Sequence, residues 1–125
     1  MTYKLLWIGA AGALGTLARY GLAGIVQRHA GGSFPFGTAA VNIAGCLAAG
    51  FLWALAEKRL GLSGEMRIYV FMGFMGAFTT FSTFILETTE LLRSGEYLYA
   101  AGNMVLQNAA GVFAFIMGMS AGLLL

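Results

Sequence analysis

Residues 73–84 read GFMGAFTTFSTF, inside a long uncharged apolar run. Positions 78–84 hold only phenylalanines and hydroxyl side chains, a mixture that helix packing in lipid does not require. The small glycines just before them let the backbone leave the helical conformation. Within a bilayer, non-helical backbone is tolerated only where protein covers it or where it lines a polar path. The stretch therefore predicts a membrane helix that is broken near residues 76–80, beside a route for something polar.

The composition indicates an integral membrane protein. The 125 residues are 59% hydrophobic and 10% charged, whereas soluble domains carry about 25% charged residues. A bilayer-spanning helix needs about 20 apolar residues, so the chain has room for four spans, and we expect neither a soluble domain nor a cleavable signal. The net charge of +2 is too small to indicate nucleic-acid binding.

Loop and charge signals divide the chain into four predicted transmembrane helices, which form one domain over residues 1–125. The spans cover about residues 3–26, 36–56, 68–93 and 97–125, joined by a loop at 27–35, a charged exit at 57–59 and turns at 61–67 and 94–96. Small residues at helix-contact spacing, Gly45 with Ala49 and Gly118 with Gly122, predict closely packed helices. The fold class expected is an all-α membrane protein.

A four-helix unit of this size has little interior, so a polar path would form at a subunit interface, and we expect a homo-oligomer. The cationic residues near the spans fall four on one side, against two or three on the other. The first side holds Lys4, Lys58, Arg59 and Arg67, and the second holds Arg28, Arg93 and, if it reaches that surface, Arg19. Because this bias is weak, an antiparallel dimer of oppositely inserted copies is one interpretation. A single orientation set by Lys58 and Arg59 is the other.

Residues suited to enzymatic chemistry are scarce, and we predict that the protein is not an enzyme. The single histidine, His29, lies in a loop, and the chain has no aspartate. No serine has a nearby base, and no His, Cys and carboxylate set has metal-ligand spacing. The lone Cys46 is expected to be a small buried residue.

Asn42 lies one to two turns inside the second span, where an amide is costly unless it is hydrogen-bonded. It is either a bond between helices or a donor to a permeating anion. Thr38, one turn earlier on the same face, would extend the row of donors or bond to its own helix.

Phe81 and Phe84 are three residues apart and share a helix face if the helix has resumed by then. Aromatic residues at this spacing usually pack, but phenyl rings have positive edges that attract anions. Ser82 and Thr83 place hydroxyl donors beside them. This run favours an anion path over simple packing.

Three further groups are candidates for the same path. Unpaired carbonyls between Gly76 and Thr79, from two symmetry-related breaks, would coordinate a small cation such as Na⁺; water or a tighter helical turn is the alternative. Arg19 either snorkels to the surface or makes a positive vestibule for anions. Asn103 and Gln107 are four residues apart and form a second polar row, which lines a path if it is buried.

Three motifs, taken together, resemble the Fluc (CrcB) fluoride channels over the whole chain. The motifs are GTLARY at residues 15–20, GTAAVNIAG at 37–45 and the run at 73–84. The chain departs from the family pattern at Ala11 and Thr16, which concern packing, and at Gly111, which has no polar side chain.

The resemblance implies a dual-topology antiparallel homodimer with two fluoride pathways and a central structural Na⁺. It implies that Asn42 is the pore amide, that Phe81 and Phe84 present ring edges, and that Ser82 and Thr83 are hydroxyl donors. Backbone carbonyls of Gly76 and Thr79 would bind Na⁺. Arg19 would lie near the vestibule, and Asn103 and Gln107 would lie on a polar track of the fourth helix.

The predicted function is passive, fluoride-selective export from the cytoplasm across the plasma membrane. Two alternatives remain: a small multidrug-type proton-coupled antiporter, and a non-conducting membrane assembly protein. The antiporter needs a carboxylate in the first span, where this chain has Arg19 instead. The assembly protein would leave the Thr-Phe-Ser-Thr-Phe run without a purpose.

Overall fold

The computed structural model describes residues 1–58 and 61–125, and all regular structure in these residues is helical. The helices are α1 (Thr2–Ala30), α2 (Phe36–Lys58), α3 (Gly64–Arg67), a π-helix (Ile68–Met75), α4 (Gly76–Phe78), α5 (Phe81–Arg93) and α6 (Tyr97–Leu124). Residues 64–93 form one interrupted span. With α1, α2 and α6 this gives four segments that are long and apolar enough to cross a membrane. The chain is therefore a multi-pass membrane protein.

The first helix is longer than predicted, because α1 continues to Ala30 and so includes His29, which the sequence places in a loop. Gly31 stops it with φ of 66°, a left-handed conformation that glycine adopts without strain. The Gln27 side chain then closes the connection to α2. It donates to the carbonyls of Gly32 and Phe34 and accepts from the Gly37 N–H.

The third span begins at Gly64, earlier than the predicted start near residue 68, and its break is narrower than predicted. Residues Gly76–Phe78 are helical, so Gly76 precedes the break and does not form it. The extended residues are Thr79, with φ −85° and ψ 156°, and Thr80, with φ −148° and ψ 113°. The π-helical winding before the break has the wider turn that is often found near functional sites.

Helices α2 and α6 meet along a glycine seam, formed by Gly50 on α2 and by Gly118 and Gly122 on α6. A Cβ atom at Gly50 would overlap the Phe115 carbonyl oxygen, and one at Gly118 would overlap that of Leu47. The predicted close packing at Gly118 and Gly122 is confirmed. On α6 the buried residues recur every three or four positions, which is one helix face (Ala100, Asn103, Gln107, Gly111, Ala114, Gly118 and Gly122).

Helix α1 packs less tightly, with Gly15 as its only buried residue. Gly15 lies against the Phe74 backbone, so α1 supports the part of the third span that precedes the break. At the other end Lys4 forms an ion pair with Glu65, with 2.7 Å between Nζ and Oε1. Arg59, which the charge count included, lies outside the described residues.

Candidate functional site

The break at Thr80 is held by the side chain of Asn42. The Thr80 N–H donates to Asn42 Oδ1 at 2.8 Å, and Asn42 Nδ2 donates to the Thr80 carbonyl at 3.1 Å. The amide thus pairs with the Thr80 backbone as a neighbouring strand would. It satisfies two backbone groups that the interrupted helix leaves free, at a depth where unsatisfied groups cost several kcal/mol each.

Two features of the sequence make this contact possible. Gly45 has no side chain, and a Cβ atom there would overlap the Thr79 methyl group, so the glycine lets α2 lie close to the break. Thr80 is the N-cap of α5 and accepts a hydrogen bond from the Thr83 N–H at 3.3 Å. Threonine is a favoured N-cap residue, which restarts the helix directly after the extended pair.

A chain of side-chain hydrogen bonds continues from Asn42 to α6 and back to α5. Asn42 Nδ2 donates to Gln107 Oε1 at 2.6 Å, and Gln107 Nε2 donates to Asn103 Oδ1 at 2.8 Å. Asn103 Nδ2 donates to the Thr88 hydroxyl at 2.9 Å, which donates to the Phe84 carbonyl at 2.7 Å. The polar row of Asn103 and Gln107 is therefore buried and tied to Asn42.

Phe81 and Phe84 lie on α5 with their ring centroids 5.7 Å apart. They differ in their surroundings, because Phe81 is 73% exposed and Phe84 is 5% exposed. Phe84 is part of the protein interior, whereas Phe81 points to the surface of the single chain. Because α5 begins at Phe81, the two rings lie side by side on one helix as expected, although only one of them is buried.

Free hydrogen-bond donors collect at the start of α5. Within the described residues, the Ser82 hydroxyl and the backbone N–H groups of Phe81 and Ser82 have no hydrogen-bond partner. The Thr83 hydroxyl oxygen accepts from the Thr80 hydroxyl at 2.9 Å, which leaves its own hydrogen available. These groups lie at the positive end of a 13-residue helix, an arrangement that favours anions.

Thr38 does not add a free donor to this set. Its hydroxyl donates to Glu87 Oε1 at 2.7 Å, and Glu87 Oε2 is buried with no partner in the described part of the chain. The two residues stand between two cavities. One, of about 350 Å³, also has Arg19, Thr80 and Thr83 in its wall. The other, of about 550 Å³, also has Glu90 and Glu96 in its wall.

On the other side of the break, the carbonyls of Gly76 and Thr79 accept no hydrogen bond from the described residues. The Thr80 N–H, which would serve Gly76 in a regular helix, donates to Asn42, and the Thr83 N–H, which would serve Thr79, donates to the Thr80 hydroxyl. Both residues border a cavity of about 300 Å³ next to Cys46. Cys46 is half-buried, less than expected. No cluster of three or more His, Cys, Asp or Glu residues suited to a metal occurs in residues 1–58 and 61–125.

Two residues of the site were missed by sequence reasoning. Thr80 carries an N-cap signal, a threonine directly before a helical segment, which could have identified it. Thr88 carries no such signal. A threonine inside a helix usually bonds to the carbonyl four residues earlier, and Thr88 differs from its neighbour Thr89 by being buried and by its contact with Asn103.

Known proteins match this chain over nearly its whole length. Residues 6–119 match the family described as CrcB-like protein, Camphor Resistance (CrcB). The chain is 57% identical to the fluoride-specific ion channel FluC of Desulforapulum autotrophicum, with both chains covered completely. It is 52% identical to the fluoride-specific ion channel FluC of Nitrosococcus oceani, with 96% of each chain covered.

Proposed function

The chain belongs to the CrcB family, and on that premise we propose that it is a fluoride-specific ion channel. It is a multi-pass protein of the plasma membrane and not an enzyme. The proposed process is passive export of fluoride down its gradient. Neither the proton-coupled antiporter nor the assembly protein has support from the relatives or from the site.

The observation that carries this proposal is the opened third span, held by Asn42, with free donors directly beside it. Fluoride is small and holds its water tightly, so a pore must replace that water with hydrogen-bond donors. The hydroxyls of Ser82 and Thr83 and the first N–H groups of α5 are donors of this kind. A phosphate or carboxylate could use the same positive helix end, but the names of the relatives favour fluoride.

Asn42 is proposed as the pore amide, although both of its hydrogens have partners in the single chain. The bond to Gln107 is 2.6 Å and the bond to the Thr80 carbonyl is 3.1 Å. Since the longer bond is the weaker one, we propose that fluoride competes with the Thr80 carbonyl for that hydrogen. Thr38 donates to Glu87, and is proposed to shape the wall rather than to bind the ion.

The aromatic residues are proposed to supply positive ring edges along the path. Phe81 is free to meet a partner, since it is 73% exposed, and Phe84 lies directly behind it. The ring edges attract an anion weakly, and we propose that the gap between the rings is too narrow for larger halides. Arg19 would attract anions electrostatically from the cavity that reaches Thr80 and Thr83.

We propose an antiparallel homodimer of oppositely inserted copies, with a central Na⁺ between the two breaks. Beside the break, Gly76, Phe81 and Ser82 are exposed in the single chain. A second copy packed against this side would cover them. The free carbonyls of Gly76 and Thr79 fit a small hard cation, which prefers oxygen ligands. The ion would supply fixed positive charge and hold the two breaks in register.

Two assays test the assembly. Accessibility of tags at both termini, measured in intact cells, should reveal both orientations; one orientation alone would refute mixed insertion.

Replacing Na⁺ with a larger monovalent cation throughout purification should lower fluoride efflux or dimer yield. Equal activity in both salts would argue against a carbonyl-bound Na⁺.

The function itself is tested by ion efflux from liposomes that hold the purified protein. Fluoride should leave quickly, while chloride and a lipophilic cation should be retained. Comparable chloride efflux would refute selectivity, and export of the cation in exchange for protons would favour the antiporter. No flux of any ion would favour the assembly protein.

A further inference from the structure

Asn42 is hydrogen-bonded not only to the Thr80 backbone at the break but also to a continuous series of buried side chains. The series runs from Asn42 through Gln107 and Asn103 on α6 to Thr88 on α5, and ends at the Phe84 carbonyl. We call it the amide relay. Asn103 is 0% exposed, and Thr88 and Gln107 are also buried. Thr88 thus reaches Asn42 only through the two amides between them.

The amide relay has one direction, which its two ends determine. At one end the Thr80 N–H can only donate, so the Asn42 atom that faces it must be the oxygen. At the other end the Phe84 carbonyl can only accept, so the Thr88 hydroxyl donates to it and accepts from Asn103. Each amide between them therefore has one orientation that satisfies both neighbours, and a flipped amide would set two like groups against each other.

Each nitrogen and oxygen atom of the amide relay also has at least one hydrogen-bond partner. Glu87 Oε2 is the only buried side-chain nitrogen or oxygen without a partner in the described residues, and it lies outside the series. A satisfied buried network is rigid, and its hydrogen bonds strengthen one another in a low dielectric. An amide of Asn42 that was free to rotate would satisfy Thr80 only part of the time.

We propose that Thr88, Asn103 and Gln107 are positioning residues, which fix the Asn42 amide against the break through this relay and do not themselves bind the permeating ion. This rests on the proposed function of Asn42 as the pore amide. The rival account places Asn103 and Gln107 in the wall of the path. The two accounts differ most at Thr88, which the rival account leaves without a role.

The test removes one hydroxyl at the far end of the amide relay. Thr88→Val keeps the shape of the side chain, and Thr88→Ser keeps its hydroxyl. Thr89→Val is the matched control, since Thr89 also donates to the carbonyl four residues earlier, at 2.8 Å to Ile85, but is exposed and contacts no amide. Gln107→Met interrupts the relay from the other end and carries the test if Thr88→Val does not fold.

The first readout is hydrogen exchange of the Thr80 amide, measured by NMR on protein labelled with ¹⁵N-threonine. Thr88→Val should speed exchange at Thr80 about tenfold because the Asn42 bond to that N–H is loosened, whereas Thr88→Ser and Thr89→Val should match the wild type. Unchanged exchange at Thr80 in Thr88→Val would overturn the proposal. This readout does not depend on ion flux, so it remains informative if the wild type proves not to conduct fluoride.

The second readout is fluoride efflux from liposomes. Thr88→Val should lower the rate about three- to tenfold, with Thr88→Ser near the wild type. The double variant Thr88→Val/Gln107→Met should be no slower than the slower single variant, because both interrupt one series. If the two losses multiply, Gln107 acts independently and the rival account holds.

Discussion

Helix α2 makes two close contacts of opposite kinds. Along the glycine seam it meets α6 backbone to backbone, with Gly50 and Gly118 leaving no room for a side chain. At the break it meets residues 79–80 through one polar side chain, and Asn42 replaces the missing helical hydrogen bonds. The seam is specified by shape, and the break is specified by hydrogen bonding.

The difference teaches where stability and function reside. The seam has no polar side chains and is sensitive chiefly to added volume, which would separate the two helices. The break depends on a few hydrogen bonds with defined directions, so an isosteric change there would alter ion flux while the fold persists. Substitutions at the two places should therefore have separable effects.

The largest effect is expected at the seam. Gly118→Leu would drive a side chain into the Leu47 backbone, and overpacking typically costs about 1–3 kcal/mol and sometimes more. We expect loss of the folded, monodisperse protein in size-exclusion chromatography. Gly21→Leu is the control, since Gly21 has open space around it; equal tolerance of the two variants would show that the seam is not tight.

Substitutions of the phenylalanines should separate flux from folding. We expect Phe81→Ile and Phe84→Ile to suppress fluoride efflux while the protein still assembles. Because Phe84 is 5% exposed within the single chain, Phe84→Ile should lower the thermal unfolding temperature as well. Normal efflux in both variants would refute the role of the ring edges.

The smallest effect is expected at Gly111, where the polar row on α6 ends. A Cβ there would lie 3.4 Å from Cys46 Sγ, an ordinary contact, so Gly111→Ser should fold normally. Fluoride efflux should change less than about threefold, because the hydroxyl would lie beyond the last amide. A large change in efflux would mean that the path follows α6 at this level.

Much of this comparison could be predicted from the sequence. Hydropathy and loop residues gave the four spans, and the small residues at 118 and 122 gave the close contact of α6, because both depend on local composition. The run at 73–84 gave the existence of the break. Its narrower position at residues 79–80, within the predicted range 76–80, could not be predicted, because it depends on which backbone N–H meets Asn42 from another helix.

The side-chain partners were harder to predict than the residues. Asn42, Asn103 and Gln107 were identified as polar groups in apolar spans, but whether they face an ion or each other depends on helix rotation and register. Thr88 was missed for the same reason. Likewise, the Phe81 and Phe84 spacing predicts neighbouring rings, but not that one is exposed and the other buried.

The central claim is that the break held by Asn42 is the fluoride path, and Asn42→Ala tests it most directly. Fluoride efflux from liposomes should be measured for the wild type and for Asn42→Ala, at equal amounts of monodisperse protein. We predict a loss of at least about tenfold, which corresponds to about 1.4 kcal/mol in the barrier, because the amide donor is gone. Efflux at the wild-type rate from well-folded Asn42→Ala protein would contradict the claim.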